Sequence, residues 1–496
     1  MLIQHTKIYL IMSLYMKQEV RVRFAPAPTG FMHLGNVRTA LINYLFARQR
    51  EGVFVVRVED TDPQRLFDPG AKHILSDLAW LGLSYDEGPG IGGPYAPYFQ
   101  SERNALYTSY FKKLQEKNMV YRCFCTIEDL KKKRERQIAL KMPPRYDRTC
   151  FDKTDMEVEE LLAQNTPFVW RFKMPKERIT VRDSARGDIS FDLQNFSDFP
   201  LTRTDGSYTF IFANAVDDMI MNITEVIRGE DHLSNTALQA ILYKTFEHNL
   251  PIFWHLPILC NKDGKKLSKR DFGFSLNDLR AAGFVPGAII NYLAMLGTSF
   301  GQEIMDTEML VRELDMAKLS SAGQIKYDVD KLRWVNHAWL SAMPLEELAN
   351  AVRPFIERHF PQAKDMPDAT LQKLVEVIQP ELVTLADAPD LLAFYFESPT
   401  VPKTDINKIN EGVRTFVVRN LEALEGTSDF KQWFMQLKKD AKKDGISLRD
   451  VGALIRLVLT GVPSGIGIVD LVGMLPFAEI KKRMNSAGLY PNKDAQ

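Results

Sequence analysis

Cysteine is scarce in this sequence, with four in 496 residues. That excludes a disulfide framework and favours a reducing, cytoplasmic setting. Net charge is missing too, because 63 basic residues offset 63 acidic ones. A general electrostatic pull toward nucleic acid or membrane is excluded, so any RNA contact must come from local basic runs. Residues 8–16 look faintly like the apolar part of a leader, but no small-residue cleavage site follows. No other segment approaches the ~18 apolar residues of a membrane helix, so no membrane partner is expected. Residues 1–17 read as a disordered extension or an upstream start, with Met16 as the alternative beginning. Internal repeats and low-complexity tracts are absent as well.

What is present is ordinary in bulk. Apolar residues at 45% and charged residues at 25% fit a soluble globular chain. The length predicts about three to four domains. Residues 20–24 read as a buried strand, 37–49 as an amphipathic helix with Val37, Leu41, Tyr44 and Leu45 on one face, and 54–58 as a second strand. Asp60-Thr61-Asp62-Pro63 is a turn. Helices are expected near 71–81 and 102–117, around a Gly- and Pro-rich surface loop at 88–97. This alternation predicts an α/β fold with a doubly wound parallel sheet. Over 119–210 the character changes. Cys123-Phe124-Cys125, a charged helix at 127–140 and β-like runs such as 169–173 suggest an inserted domain. Sheet-like sequence returns at 208–216 and 223–227, followed by a helix at 235–247. From about residue 330 glycine thins out and helical periodicity dominates, which predicts an all-α C-terminal region.

Between the first strand and helix runs Phe24-Ala25-Pro26-Ala27-Pro28-Thr29-Gly30-Phe31-Met32-His33-Leu34-Gly35-Asn36. Pro26 and Pro28 hold this segment extended and remove two donors. Gly30 and Gly35 permit close approaches that a Cβ would block. A helix beginning near Asn36 offers free amides and a positive dipole end to an anion. His33 can donate to a phosphate oxygen or to departing pyrophosphate. Far downstream, the turn Asp263-Gly264 presents Lys265, Lys266, Lys269 and Arg270. A charge run is usually a solvated face, but Leu267 and Ser268 are embedded here, which suggests a loop that docks. Cations closing on a pentavalent phosphorus would stabilise charge that peaks in the transition state. Together the two segments point to activation of a carboxylate with ATP.

The pair resembles the His-Ile-Gly-His and Lys-Met-Ser-Lys-Ser motifs of class I aminoacyl-tRNA synthetases. More narrowly, Ala25-Pro26-Ala27-Pro28-Thr29-Gly30, Arg57-Val58-Glu59-Asp60-Thr61-Asp62, Val216-Asp217-Asp218, Arg228-Gly229-Glu230-Asp231-His232-Leu233-Ser234-Asn235-Thr236 and Gly264-Lys265-Lys266-Leu267-Ser268-Lys269-Arg270 look like the bacterial-type glutamyl-tRNA synthetase family. Weaker similarity continues at Lys331-Leu332-Arg333-Trp334-Val335-Asn336 and Ile455-Arg456-Leu457-Val458-Leu459-Thr460-Gly461. The resemblance implies a Rossmann-type catalytic core in two halves, 18–118 and 211–255. An inserted α/β acceptor-binding domain would occupy 119–210, a stem-contact region with the cationic loop 256–330, and a helical anticodon-binding region 331–496.

The implied reaction joins glutamate to ATP-Mg²⁺ as glutamyl-adenylate, then passes the acyl group to tRNA-Glu, with tRNA-Gln as a second possible acceptor. No protein nucleophile is needed, because the attacking carboxylate is already ionised at neutral pH. Catalysis is then positioning and charge stabilisation, with His33 and Lys269 as catalytic groups and Lys266 in support. By the same resemblance ATP would meet His33, Gly35, Asn36, Asp231, His232, Leu259 and Lys269. Glutamate would meet Arg23, Ala25, Ala27, Glu59, Phe210, Asn214 and Arg228. Arg23 and Arg228 would take the side-chain carboxylate, for which the guanidinium fork is suited, and Glu59 the α-ammonium. Phe210 stands where the family usually has Tyr and Ala27 where it has Ser. Each lost hydroxyl is worth roughly 0.5–1.5 kcal/mol of binding, which leaves room for weak glutamate affinity or a shifted tRNA choice.

Cys123, Cys125 and Cys150, with Tyr146 or alternatively Asp152 as a fourth ligand, match a zinc arrangement carried by related synthetases. The alternative is three reduced cysteines in a small core. Cys260 stands alone and is expected to be buried packing. Basic runs at 131–136, 438–443 and 481–483 are candidate tRNA phosphate contacts, and Arg456 a candidate anticodon reader. A glutaminyl enzyme would be expected to end in β-barrels, so a helical end favours glutamate. A monomer is expected. The competing classes are an inactive RNA-binding relative and a small-molecule nucleotidyltransferase. The first would not need His33, Lys269, Arg23 and Arg228, and the second would not need so large a helical C-terminal half.

Overall fold

Arg21–Phe24 is buried at every position, so it has to lie inside a sheet rather than on its surface. The computed structural model describes residues 19–62, 67–268, 270–319 and 323–489. The expectations for residues 1–17 and Lys269 fall outside them. In chain order the elements are β1 (Arg21–Phe24), α1 (Leu34–Gln49), β2 (Val53–Val56), α2 (Lys72–Trp80), α3 (Asn104–Glu116), β3 (Val120–Cys123), α4 (Ile127–Ala139) and α5 (Asp155–Ala163). There follow β4 (Val169–Phe172), β5 (Arg178–Asp183), β6 (Gly187–Asp192), α6 (Phe210–Ile220), β7 (Glu225–Gly229), α7 (Leu233–Thr245), β8 (Ile252–Leu256), β9 (Leu259–Cys260), α8 (Leu276–Ala281), α9 (Pro286–Met295), α10 (Thr307–Glu313) and β10 (Ile325–Lys326).

β1 and β2 are parallel and joined through α1, the connection that parallel pairing requires. The other side of β1 meets β7, where the Thr224 N–H donates to the Arg21 carbonyl at 2.9 Å. β7 runs parallel to β8, and β8 to β5, giving the order β6-β5-β8-β7. β5 and β6 form an antiparallel hairpin. That hairpin belongs to the 119–210 stretch, so the stretch is tied into the core sheet through β5. α6 and α7 pack on each other and close one core, with Phe212, Ala213, Val216, Ala240 and Phe253 all buried.

Two local expectations need correction. Residues 208–216 are not sheet, since α6 begins at Phe210. Phe212 through Met219 are all buried, and a helix covered all round loses the amphipathic stripe that identifies it from sequence. Ala213 and Ala215 also favour the helix. The helix after the first loop begins at Leu34 rather than near Asn36, because His33 itself caps it.

The described residues form two compact units, one drawn from 1–278 and 289–329, the other from 279–288 and 330–496. Among the described residues, no strand follows Ile325–Lys326. The second unit is built from amphipathic helices. In Leu345–His359, for example, Leu348, Val352 and Ile356 repeat every four residues and are buried.

Candidate active site

The first loop ends in a histidine whose ring is held in place. His33 Nδ1 accepts the Asn36 N–H at 3.2 Å, and Asn36 Oδ1 accepts the His33 N–H at 3.5 Å. With its Nδ1 lone pair committed, the neutral ring carries its proton on Nε2, which is the atom free to donate. A Cβ on Gly35 would lie 3.0 Å from the ring's Cε1 and Nδ1. Glycine there lets the imidazole lie over the helix start, whereas a Cβ would make the ring give by a few tenths of an ångström. Phe274 stacks on the ring at 5.1 Å.

Phe274 comes from the segment that continues the cationic loop, and that segment is stitched to the first loop. The Leu34 N–H donates to the Phe274 carbonyl and the Leu276 N–H to the Met32 carbonyl, both at 3.0 Å. Asn261 Oδ1 caps the turn by accepting from the Asp263 and Lys265 N–H groups. Gly264 turns at φ +76°, a conformation costly for any residue with a Cβ. Lys266 Nζ then lies 3.2 Å from Asp231, just beyond β7. Burial first, and then the Lys266 charge, lower the His33 pKa, with Asp231 opposing. His33, Lys266 and Asp231 therefore share one electrostatic neighbourhood. Leu259 is buried in β9 and its carbonyl accepts the Leu267 N–H at 3.0 Å, which fixes the base of the loop.

The other end of the site is a buried set of charges. Arg57 is fully enclosed and reaches Asp218 at 2.7 Å and Glu59 at 3.2 Å. Arg23 shares Asp218 at 3.2 Å and also donates to the Ile227 carbonyl. Burial works against ionised Asp218, yet Arg23 and Arg57 hold its carboxyl below the usual range. Glu59 is pushed up by burial, with Arg57 and Asn214 resisting. Its bonds from Arg57 and Asn214 both land on Oε1, which among the described residues leaves Oε2 for another donor. Arg228 is also buried, but its guanidinium donates to the neutral Gln239 and Thr236, at 2.7 Å each. Burial and then the Arg23 charge lower its pKa, as expected of a desolvated cation short of an anion. His232 lies between the two ends. Its pKa is lowered to about 4 by burial and then by Arg228, and its ring sits 5.5 Å from Phe210. The backbone of the first loop is pinned nearby, with the Glu59 N–H donating to the Pro26 carbonyl at 2.9 Å. Ala25 is half-buried and Ala27 exposed.

Residues 19–334 match the family model for the catalytic domain of class I tRNA synthetases (E and Q). Residues 347–488 match an anticodon binding domain. The glutamate–tRNA ligase of Carboxydothermus hydrogenoformans is 35% identical over 94% of this chain and 99% of its own length. A second such ligase, from Syntrophus aciditrophicus, is 36% identical over 94% and 97%. This chain belongs to the glutamate–tRNA ligase family. The crystal structure of a glutamate tRNA ligase from Elizabethkingia meningosepticum, in complex with its amino acid, is similar with a TM-score of 0.82 at 33% identity, over 95% of this chain and 99% of that one.

The cysteines gather as well. The sulfurs of Cys123, Cys125 and Cys150 lie within 4.8 Å of one another, and all three are free thiols. Tyr146 Oη lies 3.3 Å from Cys123 Sγ. Tetrahedral zinc holds thiolates at about 2.3 Å, which puts their sulfurs about 3.8 Å apart, so this donor set fits the ion. Hydrogen bonds from Cys150 and Tyr146 favour a thiolate at Cys123, against the penalty of burial. Asp152 is exposed and stands outside the cluster, so Tyr146 is the fourth group that the structure brings near. Cys260 is buried in β9, as packing would have it.

Sequence reasoning did not find the frame behind this buried set of charges. Arg57 and Asp217–Asp218 were visible only inside motifs, while Asp183, Gln239 and Arg103, which reaches Asp217 at 2.7 Å, gave no local signal. A polar residue inside an apolar run, His255 in Phe253-Trp254-His255-Leu256, was the one available hint.

Proposed function

We propose that this chain joins L-glutamate to tRNA-Glu through a glutamyl-adenylate, releasing AMP and diphosphate. One observation carries the division of roles. His33 feels the charges of Lys266 and Asp231, His232 those of Asp231 and Arg228, and Arg228 in turn those of Arg23 and Glu59, so one set of charges spans His33, Lys266 and Asp231 at one end and Arg228, Arg23 and Glu59 at the other. The first group is suited to a triphosphate and the last to an amino acid with an acidic side chain. In this reading Arg228, with Arg23, takes the side-chain carboxylate, and Glu59 Oε2 takes the α-ammonium. Asn214 orients Glu59 by its bond to Oε1. His33 Nε2–H meets the phosphates. Lys266 and Lys269 add positive charge as negative charge builds on the transferring phosphorus. Mg²⁺ brought in with ATP would neutralise part of the phosphate charge.

Cys123, Cys125, Cys150 and Tyr146 would hold a structural zinc that ties β3 to the loop after α4. Residues 119–210 would receive the acceptor end of the tRNA, and helices of 331–496 the anticodon. The helical C-terminal unit favours glutamate over glutamine as the ligated amino acid. We further propose a monomer working in the cytoplasm. The deciding experiment is aminoacylation with labelled glutamate and glutamine against purified tRNA-Glu and tRNA-Gln. Glutamate transfer to tRNA-Glu is expected, and glutamine transfer in its place would overturn the substrate assignment.

A further inference from the structure

Arg228 is backed by polar groups that no step of the reaction uses. Its Nη2 donates to Thr236 Oγ1 at 2.7 Å, Thr236 Oγ1 lies 2.9 Å from His255 Nε2, and His255 Nδ1 lies 2.6 Å from Asp183 Oδ2. Asp183, Thr236 and His255 are all fully buried. Arginine only donates, so the Thr236 oxygen accepts from Arg228. The Thr236 proton has two acceptors, the His232 carbonyl at 3.4 Å and His255 Nε2 at 2.9 Å, and the nearer is His255. His255 then carries its remaining proton on Nδ1 and gives it to Asp183. Asp183 accepts and is itself anchored by the Ala185 and Arg186 N–H groups at 2.9 Å. Arg228 Nε also faces His255 Nε2, at 3.5 Å, which agrees with an unprotonated Nε2.

A second arm leaves the same guanidinium. Arg228 Nη1 donates to Gln239 Oε1 at 2.7 Å, and Gln239 Nε2 donates to Asn214 Oδ1 at 2.6 Å. Both terminal nitrogens of Arg228 are thus held from behind, and each keeps one further N–H. Polar groups buried this deeply are costly compared with an apolar core unless every one is satisfied. Here they are satisfied in a single sense, running from a β5 carboxylate to the guanidinium.

We propose that the Asp183–His255–Thr236 relay is a positioning device that sets the plane of the Arg228 guanidinium, so that its free N–H groups meet the side-chain carboxylate of glutamate. This rests on the assignment of Arg228 to that carboxylate. Thr236, His255 and Asp183 touch no substrate and act through Arg228 alone.

The test is steady-state aminoacylation by the full-length protein, with glutamate and ATP varied separately. Thr236→Val keeps the shape and removes both hydroxyl roles. Its KM for glutamate should rise by roughly tenfold, the scale of one misdirected bond to a charged group. Its KM for ATP should stay within about twofold, and kcat should move far less than the glutamate KM. Thr236→Ser restores the hydroxyl and should recover most of the glutamate affinity, which a role in packing would not predict. Arg228→Gln separates the two levels of the argument. If it leaves the glutamate KM unchanged, the carboxylate assignment itself fails. If it raises that KM while Thr236→Val does not, the relay alone is overturned. Equal rises in both KM values for Thr236→Val also overturn the relay. Should Thr236→Val not fold, Asp183→Asn probes the far end through the His255 tautomer. A glutamate KM unchanged in Asp183→Asn overturns the proposal, and a selective rise supports it.

Discussion

Gly35 does its work by what it lacks. Any Cβ there would press the His33 ring at 3.0 Å. Alanine is nevertheless the better helix former by about 1 kcal/mol, and position 35 lies in the first turn of α1. Gly35→Ala should therefore separate activity from stability. Its aminoacylation rate is expected to fall by roughly tenfold or more, the scale of a displaced reacting group, while its thermal midpoint holds or rises. A variant as active as the parent would show that the ring has room to move. His232 gives a second prediction, this time in pH. Burial and then Arg228 hold it at about 4, against about 6.5 in an unfolded chain. The unfolded state takes the proton first, so stability that His232 contributes at neutral pH is lost as pH falls from about 6.5 toward 4. His232→Asn cannot take that proton and should show a flatter fall in thermal midpoint across the same window. Equal slopes in the two proteins would remove His232 from the acid sensitivity. Residues of this kind were readable in the sequence because His33, Gly35 and Asn36 are neighbours and constrain one another locally. Asp183 and His255 stand 72 residues apart and Arg57 and Asp218 stand 161 apart, so only the folded chain pairs them.

At the level of elements, the segment that continues the cationic loop is joined to the His33 loop by backbone bonds, from the Leu34 N–H to the Phe274 carbonyl and from the Leu276 N–H to the Met32 carbonyl. The loop's position therefore does not depend on its lysines, and their removal should spare the fold. Lys266→Ala and Lys269→Ala are each expected to cut turnover by about a hundredfold, as for a missing transition-state donor, with little change in glutamate KM. Near-normal kcat in both would take the loop out of the chemistry. The cysteine cluster joins β3, through Cys123 and the adjoining Cys125, to Cys150 in the loop after α4. Elemental analysis of the purified protein should find about one zinc per chain, and Cys125→Ser should lose it. A metal-free protein of full stability would leave three reduced thiols in a small core. Ile127–Ala139, which buries no residue, was legible as a charged helix. α6 was not, because burial on every side erases the stripe and leaves an apolar run that a strand would also explain.

Over the whole molecule the charges cancel, so no general field gathers tRNA, and affinity must be built from a few placed cations. Phe430–Lys443 supplies such a group. Lys438 and Lys442 are four residues apart and share a face, and both line a shallow cleft with Lys439, Ile446 and Leu448. The Lys438 ammonium also sits 4.5 Å over the Phe434 ring, which holds the side chain in place without neutralising it. The helix lies within the segment that matches an anticodon binding domain. Removing one cation that meets a phosphate should lower the slope of log affinity against log salt by about one. A Lys438→Ala, Lys442→Ala double variant should therefore raise the tRNA KM, and raise it most at low salt, where the wild type gains most from its charges. The glutamate KM should not move, because Arg228 and Glu59 belong to the other compact unit. A tRNA KM that rises by the same factor at every salt concentration would mean that the two lysines shape the helix surface and do not meet phosphate. Their positive charge would then be the solvated face that charge runs usually are.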